Sequence, residues 1–230
     1  MNIIIIGGSR GIGKAIAKEL IRDGHRILLT GRDEQTLQEA AEELQADTLI
    51  FPMDAAQPKS AQQLLAFVRS KEFKADGLIL NAAKFPERNA QRSVIEPRAD
   101  ELLDMLDANV VAHYRLVQTF LPELKKGSRI VIIGSTAGIR KDKGGIYGIS
   151  KWALRSYAYN LREEVKPYDI GVSLIHPGGT FTETRKKQGA EDTTLLETSD
   201  LGILAATLFR LSGQAVVEEV SIRPIIGDTY

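Results

Sequence analysis

The chain has 230 residues, 43% hydrophobic and 26% charged, which is ordinary for a globular protein with one core. Its 30 basic and 30 acidic side chains cancel, which argues against nucleic acid and anionic membranes as partners. The lack of cysteine excludes disulfides and thiolate metal sites, and the 3 histidines show no metal-site spacing. No apolar run approaches the ~20 residues of a membrane helix, and the start lacks the basic region of a signal peptide, so we expect a cytoplasmic protein.

A β-branched run, a glycine-rich turn and an amphipathic helix open the chain. Residues 3–6 are four isoleucines, typical of a strand buried on both faces. The turn that follows reads Gly7-Gly8-Ser9-Arg10-Gly11-Ile12-Gly13. A strand, a glycine turn and a helix can direct backbone N–H groups and a helix N-terminus at a pyrophosphate. A plain tight turn is the alternative, because a glycine pattern alone is weak.

The end of the second predicted strand, residues 26–30, bears on the choice of dinucleotide. An acid near this point would hold the ribose 2′-hydroxyl of NAD. The position is instead Gly31, and the guanidinium of Arg32 suits the 2′-phosphate of NADP, which Arg10 could also reach. Asp33 keeps NAD(H) open, although it reads well as the N-cap of the next helix. NADP(H) is therefore favoured.

Strands and helices then alternate along the chain. Further strands are predicted at residues 48–51, 78–80, 129–133, 170–175 and 216–222. Helices are predicted around 64–68, from 99 to 124, from 147 to about 165, and from a cap at Thr198 or Ser199. No repeat or linker interrupts this order. We expect a single α/β domain over residues 1–230, with a doubly wound parallel β-sheet, helices on both faces and a substrate loop around 180–198.

Tyr147 and Lys151 are four residues apart on a predicted helix and therefore share one face. A cation about 4 Å from a phenol, at an effective dielectric of ~20, stabilises the phenolate by roughly 4 kcal/mol. That would lower a tyrosine pKa of ~10 by up to roughly three units. Such a phenol could act as general acid or base near neutrality. Because this spacing is common by chance, a packing tyrosine and a solvated lysine remain the alternative for the pair alone.

Six motifs occur in one order between residues 3 and 182. They are Gly7, Gly11 and Gly13; Asp54; Asn109; Ser135; Tyr147 with Lys151; and Pro177-Gly178 with Thr182. In this set and order the sequence resembles the short-chain dehydrogenase/reductase family, in its shorter single-domain form. The resemblance implies one NAD(P)-binding Rossmann domain that moves hydride between nicotinamide and a small carbonyl or alcohol substrate. It also implies a homodimer or homotetramer.

The resemblance assigns a role to each catalytic residue. Tyr147 would exchange a proton with the substrate oxygen, and Lys151 would lower its pKa and bind the nicotinamide ribose. Ser135 would hold the substrate oxygen, and Asn109 would position a water that links Lys151 to solvent. Asp54 would contact the adenine ring. The expected cofactor-binding residues are Gly7, Ser9, Arg10, Gly11, Ile12, Gly13, Arg32, Asp54, Asn81, Tyr147, Lys151, Pro177, Gly178, Thr180 and Thr182.

Several of these residues have plainer interpretations. Ser135 could cap a turn after its strand, with Thr136 competing for its role, and we interpret His113 and His176 as structural. Turn, loop or exposed positions would also explain Asp54, Asn109 and Thr182. The competing function is a nucleotide-binding sensor or scaffold without turnover, although such a protein has no need of Tyr147 and Lys151 together.

The sequence departs from the family pattern in three places. Ile6 replaces a common threonine, and Leu80 and Ala83 replace the first asparagine and the glycine of Asn-Asn-Ala-Gly, so we expect altered local packing. Residues 222–228 lack the frequent closing pattern, which leaves the subfamily and a tetramer interface open. The substrate would lie among the variable segments 84–97, 138–146 and 180–198, and the sequence does not identify it.

Overall fold

The computed structural model describes residues 1–85, 93–140, 144–183 and 194–227. Within these residues one parallel sheet has the strand order β3-β2-β1-β4-β5-β6-β7. The strands are β1 (Asn2–Ile6), β2 (Arg26–Gly31), β3 (Leu49–Pro52), β4 (Gly77–Leu80), β5 (Arg129–Ile133), β6 (Gly171–Pro177) and β7 (Glu219–Ile222). The order reverses between β1 and β4, which opens a crevice at the carboxyl ends of the strands. The predicted doubly wound α/β fold is confirmed.

Helices cover both faces of the sheet. They are α1 (Gly11–Arg22), α2 (Glu34–Leu44), α3 (Ser60–Ser70), α4 (Ala99–Leu106), α5 (Ala112–Phe120), α6 (Gly145–Val165) and α7 (Thr198–Arg210). The packing of the four isoleucines of β1 explains why residues 3–6 of this strand are all apolar. Ile3 and Ile5 pack with α1, α2 and α7, whereas Ile4 and Ile6 pack with α3, α5 and α6. Both faces of a central parallel strand are buried, so alternate positions are all apolar.

A π turn at Asp107–Val111 joins α4 to α5, where the sequence predicted one regular helix. Asn109 lies inside it and is fully buried. Single π turns inside α-helices recur at functional sites, because the extra residue changes the direction of side chains. Here it lets Asn109 face inward, which a regular hydrophobic period does not indicate.

The last strand begins at Glu219, three residues later than the predicted start at residue 216. The guanidinium of Arg129 explains the difference. It donates to the carbonyls of Leu211, Ser212 and Ala215 at 2.8–3.0 Å, so this stretch is held by a side chain rather than by β6. The backbone can pair with β6 only after it leaves Arg129.

Helix α7 has Glu197 as its N-cap, one residue before Thr198 and two before Ser199, the predicted caps. The carboxylate of Asp200 accepts the N–H of Glu197 at 3.2 Å, which is half of a capping box. Across the described ranges, every helix is too short or too polar to cross a bilayer.

Candidate active site

A cleft of about 1090 Å³ opens at the carboxyl ends of the strands. It is lined by the glycine turn, the segment after β4, the segment after β5, the start of α6 and the segment after β6. Pockets for small ligands are about 300–1,000 Å³. The cleft is therefore large enough for a dinucleotide together with a small substrate.

The glycine turn is packed so closely that a side chain is impossible at Gly13. A Cβ there would lie 2.1 Å from the carbonyl oxygen of Gly7 and 2.8 Å from Nδ2 of Asn81. Asn81 Nδ2 itself donates to that carbonyl oxygen at 2.6 Å. Asn81, which we assigned to the cofactor, thus ties β4 to the glycine turn and fixes the shape of the cleft floor.

This packing makes a stability prediction. We expect Gly13→Ala to lower the free energy of unfolding by about 3 kcal/mol or more, because the backbone must move to admit the methyl group. Gly213→Ala is the matched control, since a Cβ there has no heavy atom within 4 Å. Its effect should stay within about 0.5 kcal/mol. Urea unfolding measures the free energy of unfolding of both variants, and an equal decrease in the two would show that Gly13 is not closely packed.

Helix α1 points its N-terminus into the cleft. Its N-cap residue, Arg10, makes no side-chain capping bond among the described residues, and its first turn contains no acid. Both Arg10 and Gly11 line the cleft. Uncapped N–H groups and the positive end of the helix dipole suit a diphosphate. The residues present therefore fit the phosphates of a dinucleotide.

The end of β2 has no carboxylate for a ribose 2′-hydroxyl. A Cβ at Gly31 would lie 3.1 Å from Ser9 Oγ, so the glycine turn occupies the place of a side chain. Asp33 is the N-cap of α2, as predicted, and accepts the N–H and the hydroxyl of Thr36 at 2.7 and 2.5 Å. Those hydrogen bonds lower the pKa of Asp33. Arg32 is exposed and lines the same end of the cleft.

Asp54 follows β3 and lines the cleft, where its carboxylate accepts the N–H of Ala56 at 3.1 Å. The segment after β6 forms the opposite wall. Gly178 N–H donates to Ile222 at 2.7 Å, and the Thr180 hydroxyl donates to the Gly178 carbonyl at 3.0 Å. Thr182 lies over the glycine turn, where a Cβ on Gly11 would meet its Cγ2 at 3.4 Å. Ile12 and Pro177 also line the cleft.

Tyr147 and Lys151 lie on one face of α6 and line the same cleft, as their spacing predicts. Lys151 Nζ is 5.6 Å from the centroid of the Tyr147 ring and donates to the Ile133 carbonyl at 3.1 Å. Only 1% of Lys151 is exposed. Burial lowers its pKa to about 7, so protonation of Lys151 itself changes near neutral pH.

Ser135 is the N-cap of a short 3₁₀ turn, and its Oγ accepts the Ala137 N–H at 3.1 Å. The capping interpretation is therefore correct. It does not exclude a second role, because capping uses an oxygen lone pair and a hydroxyl still has a proton to donate. Ser135 lines the cleft together with Tyr147.

Asn109 holds the segment after β4. Its Oδ1 accepts the Lys84 N–H at 2.7 Å, and its Nδ2 lies 3.1 Å from the Lys84 carbonyl and 3.0 Å from Ser150 Oγ. His113, one turn later, lies 2.9 Å from the Ala82 carbonyl. Burial lowers the pKa of His113 to about 3, so it is neutral. Both side chains fix the wall of the cleft beside Lys151.

Phe85 is a cleft residue that sequence reasoning missed. Its ring stacks on that of Tyr147, with centroids 4.7 Å apart and an interplanar angle of 26°. Phe85 lies in a segment without periodicity, 62 positions before Tyr147, so no local pattern could find it. The variable segments 84–97, 138–146 and 180–198 lie partly outside the described residues.

A parallel doubly wound sheet with a glycine turn and a tyrosine–lysine pair in one cleft defines a dinucleotide-dependent α/β enzyme. The family model described as short chain dehydrogenase matches residues 1–193. The chain belongs to the short-chain dehydrogenase/reductase family and is an oxidoreductase of the dehydrogenase/reductase class.

Carbonyl reductase family member 4 of Danio rerio is 27% identical over 227 residues, which are 94% of this chain and 93% of the relative. A short chain dehydrogenase from Burkholderia cenocepacia in complex with NADP is 25% identical, with a TM-score of 0.83 and coverage of 96% and 95%. An alcohol dehydrogenase from Thermococcus sibiricus complexed with 5-hydroxy-NADP has a TM-score of 0.89 at 24% identity, covering 100% of this chain and 98% of that one. The likeness to the Thermococcus sibiricus structure supports the assignment of the fold.

Proposed function

We propose that this protein is an NADP(H)-dependent oxidoreductase that moves hydride between nicotinamide and a small carbonyl or alcohol substrate. The observation that carries the proposal is the placement of Ser135, Tyr147 and Lys151 in one cleft whose other end suits a diphosphate. The substrate oxygen would lie between the hydroxyls of Ser135 and Tyr147.

The bound dinucleotide supplies or accepts the hydride. Tyr147 donates a proton to the substrate oxygen in reduction and removes it in oxidation. Ser135 donates a hydrogen bond to the same oxygen, which is worth most when charge develops there. Lys151 stabilises the phenolate and binds the nicotinamide ribose. Asn109 positions a water that connects Lys151 with solvent. In support of this role, Asn109 Oδ1 accepts the Lys84 N–H, which keeps the wall of the cleft in place.

NADP(H) rather than NAD(H) is supported by the absence of an acid at Gly31, by the engagement of Asp33 in a helix cap, and by relatives crystallised with NADP or 5-hydroxy-NADP. The guanidinium of Arg32, with that of Arg10, would bind the 2′-phosphate. Asp54 would contact the adenine.

The test of the function is NADPH oxidation by the native protein over a panel of aldehydes, ketones and keto acids, with NADH in parallel. Turnover on at least one substrate, faster with NADPH, is the expected result. Stoichiometric NADPH binding without turnover on the panel would instead favour a sensor or scaffold. A protein that binds neither cofactor would contradict both functions.

We expect Arg32→Ala to raise the dissociation constant for NADPH about 10- to 100-fold, because it removes a charge-assisted hydrogen bond worth about 1.5–3 kcal/mol. The dissociation constant for NADH should change less than about twofold. Arg22→Ala is the control, since Arg22 is at the far end of α1 and pairs with Glu19 at 2.7 Å. Isothermal titration calorimetry with both cofactors measures the effect, and equal losses of NADPH and NADH affinity would refute the assignment.

The proposal extends to the assembly and the location. Exposed apolar side chains on α5, α6 and the π turn support a homodimer or homotetramer through these helices; they are Val111, Tyr114, Ile149 and Trp152. We propose one domain over residues 1–230, with a substrate loop around 180–198 and a cytoplasmic location.

A further inference from the structure

The side chain of His176, the residue before Pro177 at the end of β6, contacts the backbone of Ser135. It is fully buried, and its Nδ1 lies 2.9 Å from the carbonyl oxygen and 3.3 Å from the amide nitrogen of Ser135. The ring also packs against Gly134, where a Cβ would lie 2.8 Å from Nδ1. The imidazole therefore fills the space at the end of β5 and contacts the chain that carries the serine.

The other ring nitrogen of His176 leads to the last strand. Nε2 is 2.6 Å from Oε1 of Glu219. Arg155 donates to both oxygens of the same carboxylate, at 2.6 Å from Nε and 3.1 Å from Nη2, and the Tyr159 hydroxyl also donates to it. Burial alone raises the pKa of Glu219, but hydrogen bonds from Arg155, Tyr159 and His176 outweigh it and lower the pKa to about 2. Glu219 is therefore an anion, and its Oε1 can only accept in the 2.6 Å contact with His176.

That contact fixes which ring nitrogen of His176 carries a proton. Nε2 carries a proton and donates it to Glu219, because a carboxylate is an acceptor only. Ser135 has φ −172° and ψ 153°, and in so extended a residue the N–H and the C=O point the same way. Neutral His176 accepts the Ser135 N–H at Nδ1, and protonated His176 donates to the Ser135 carbonyl. In either state the ring is bonded to the serine backbone.

We propose that His176 and Glu219 are positioning residues for Ser135, so that β7 holds the hydroxyl that binds the substrate oxygen. This inference rests on the proposed function, because it gives Ser135 that role. Arg155 and Tyr159 complete the arrangement from α6, one and two turns after Lys151. The Glu219 carboxylate thereby connects Ser135, through His176, to the helix that also carries Tyr147 and Lys151.

Position matters here because a misplacement of about 1 Å in an active site can cost about 100-fold in rate. A purely structural role for the pair would show as lost stability or lost cofactor affinity. A positioning role shows as a lower kcat at unchanged cofactor affinity, and it shows only while Ser135 is present. The two roles are therefore separable by experiment.

Glu218 provides the matched control. It is the neighbour of Glu219 and pairs with Arg162, so it also joins the last strand region to α6, without contact to His176 among the described residues. We expect Glu219→Gln to lower kcat about 10- to 100-fold with the dissociation constant for NADPH within twofold. Glu218→Gln should keep the wild-type kcat. In a Ser135→Ala background, Glu219→Gln should lower kcat less than threefold, because the group that it positions is gone.

The proposal would be overturned by equal kcat values for Glu219→Gln and Glu218→Gln, or by an undiminished effect of Glu219→Gln in Ser135→Ala. A Glu219→Gln protein that has lost NADPH binding as well would also overturn it, in favour of general disruption. A wild type without turnover would instead contradict the proposed function.

A measurement without substrate tests the contact itself. With 3 histidines in the chain, the imidazole N–H signals can be assigned by nitrogen-15 NMR and His176→Asn. We expect a downfield Nε2–H signal from His176 that shifts upfield in Glu219→Gln and stays in place in Glu218→Gln. A signal that is insensitive to Glu219→Gln would show that the pair is not joined in solution, whatever the enzyme turns over.

Discussion

Tyr147→Phe is expected to lower kcat about 10²- to 10⁴-fold, the range of general acid–base catalysis. The change removes only the hydroxyl. The ring keeps its stacking with Phe85 and its burial, since 8% of Tyr147 is exposed. We therefore expect the melting temperature to change by less than about 4 °C, which corresponds to about 1 kcal/mol or less in a domain of this size.

Tyr157→Phe is the control for this substitution, because Tyr157 lies on the same helix but packs against the hydrophobic core. Burial raises the pKa of Tyr157, so its phenol keeps its proton near neutrality and does not act as an acid or base there. Steady-state NADPH oxidation with the best substrate of the panel compares the two variants. Equal rates for Tyr147→Phe and the native protein would remove Tyr147 from the mechanism, and the proposed function would lose its proton donor.

The features of the fold that were predicted from sequence share a cause. The buried strands are runs of apolar residues, and the cap at Asp33 and the close approach of Gly13 to Gly7 join residues only a few positions apart. Local chemistry of that kind is readable in one sequence. The family resemblance added the order of the motifs, which no single motif provides.

The features that sequence reasoning missed depend on long-range contacts. Arg129 delays the start of β7 by binding carbonyls more than 80 positions away. Glu219 meets His176 across 43 positions. The π turn around Asn109 has no residue signal of its own. Each of these needs the sheet to be assembled before the partners meet, so no periodicity or motif announces it.

Lys151 shows what burial adds to an argument from spacing. Spacing alone implies a permanently charged ammonium, whereas the structure places the Lys151 amine out of water, where it donates to the Ile133 carbonyl. Its pKa falls from 10.5 to about 7 for this reason. The unfolded chain binds a proton that the folded chain has released between these values. The free energy of unfolding therefore rises with pH across that window, and below about pH 7 the buried charge costs its full amount.

Lys151→Met should accordingly stabilise the cofactor-free protein in acid while abolishing turnover. At about 1.4 kcal/mol per pKa unit, the buried charge costs up to about 5 kcal/mol at pH 6. Methionine is of similar size, but it removes the hydrogen bond that Lys151 donates to the Ile133 carbonyl, which costs about 1–3 kcal/mol. The difference is a net gain of about 2–4 kcal/mol at pH 6. At pH 10.5 most of the charge cost has vanished, so the variant should be less stable than the native protein by about 0.5–2.5 kcal/mol.

The difference in the free energy of unfolding between Lys151→Met and the native protein should therefore change sign between pH 6 and 10.5. Urea unfolding at several pH values measures it, and Lys18→Met, on the exposed face of α1, should show no such change. A constant difference across the range would mean that Lys151 keeps its charge when folded. In that event the ammonium would be solvated or paired, and it would stabilise the Tyr147 phenolate also above pH 7, where the buried amine has released its proton. The loss of turnover in Lys151→Met, without loss of stability in acid, therefore joins the catalytic role of this residue to its burial.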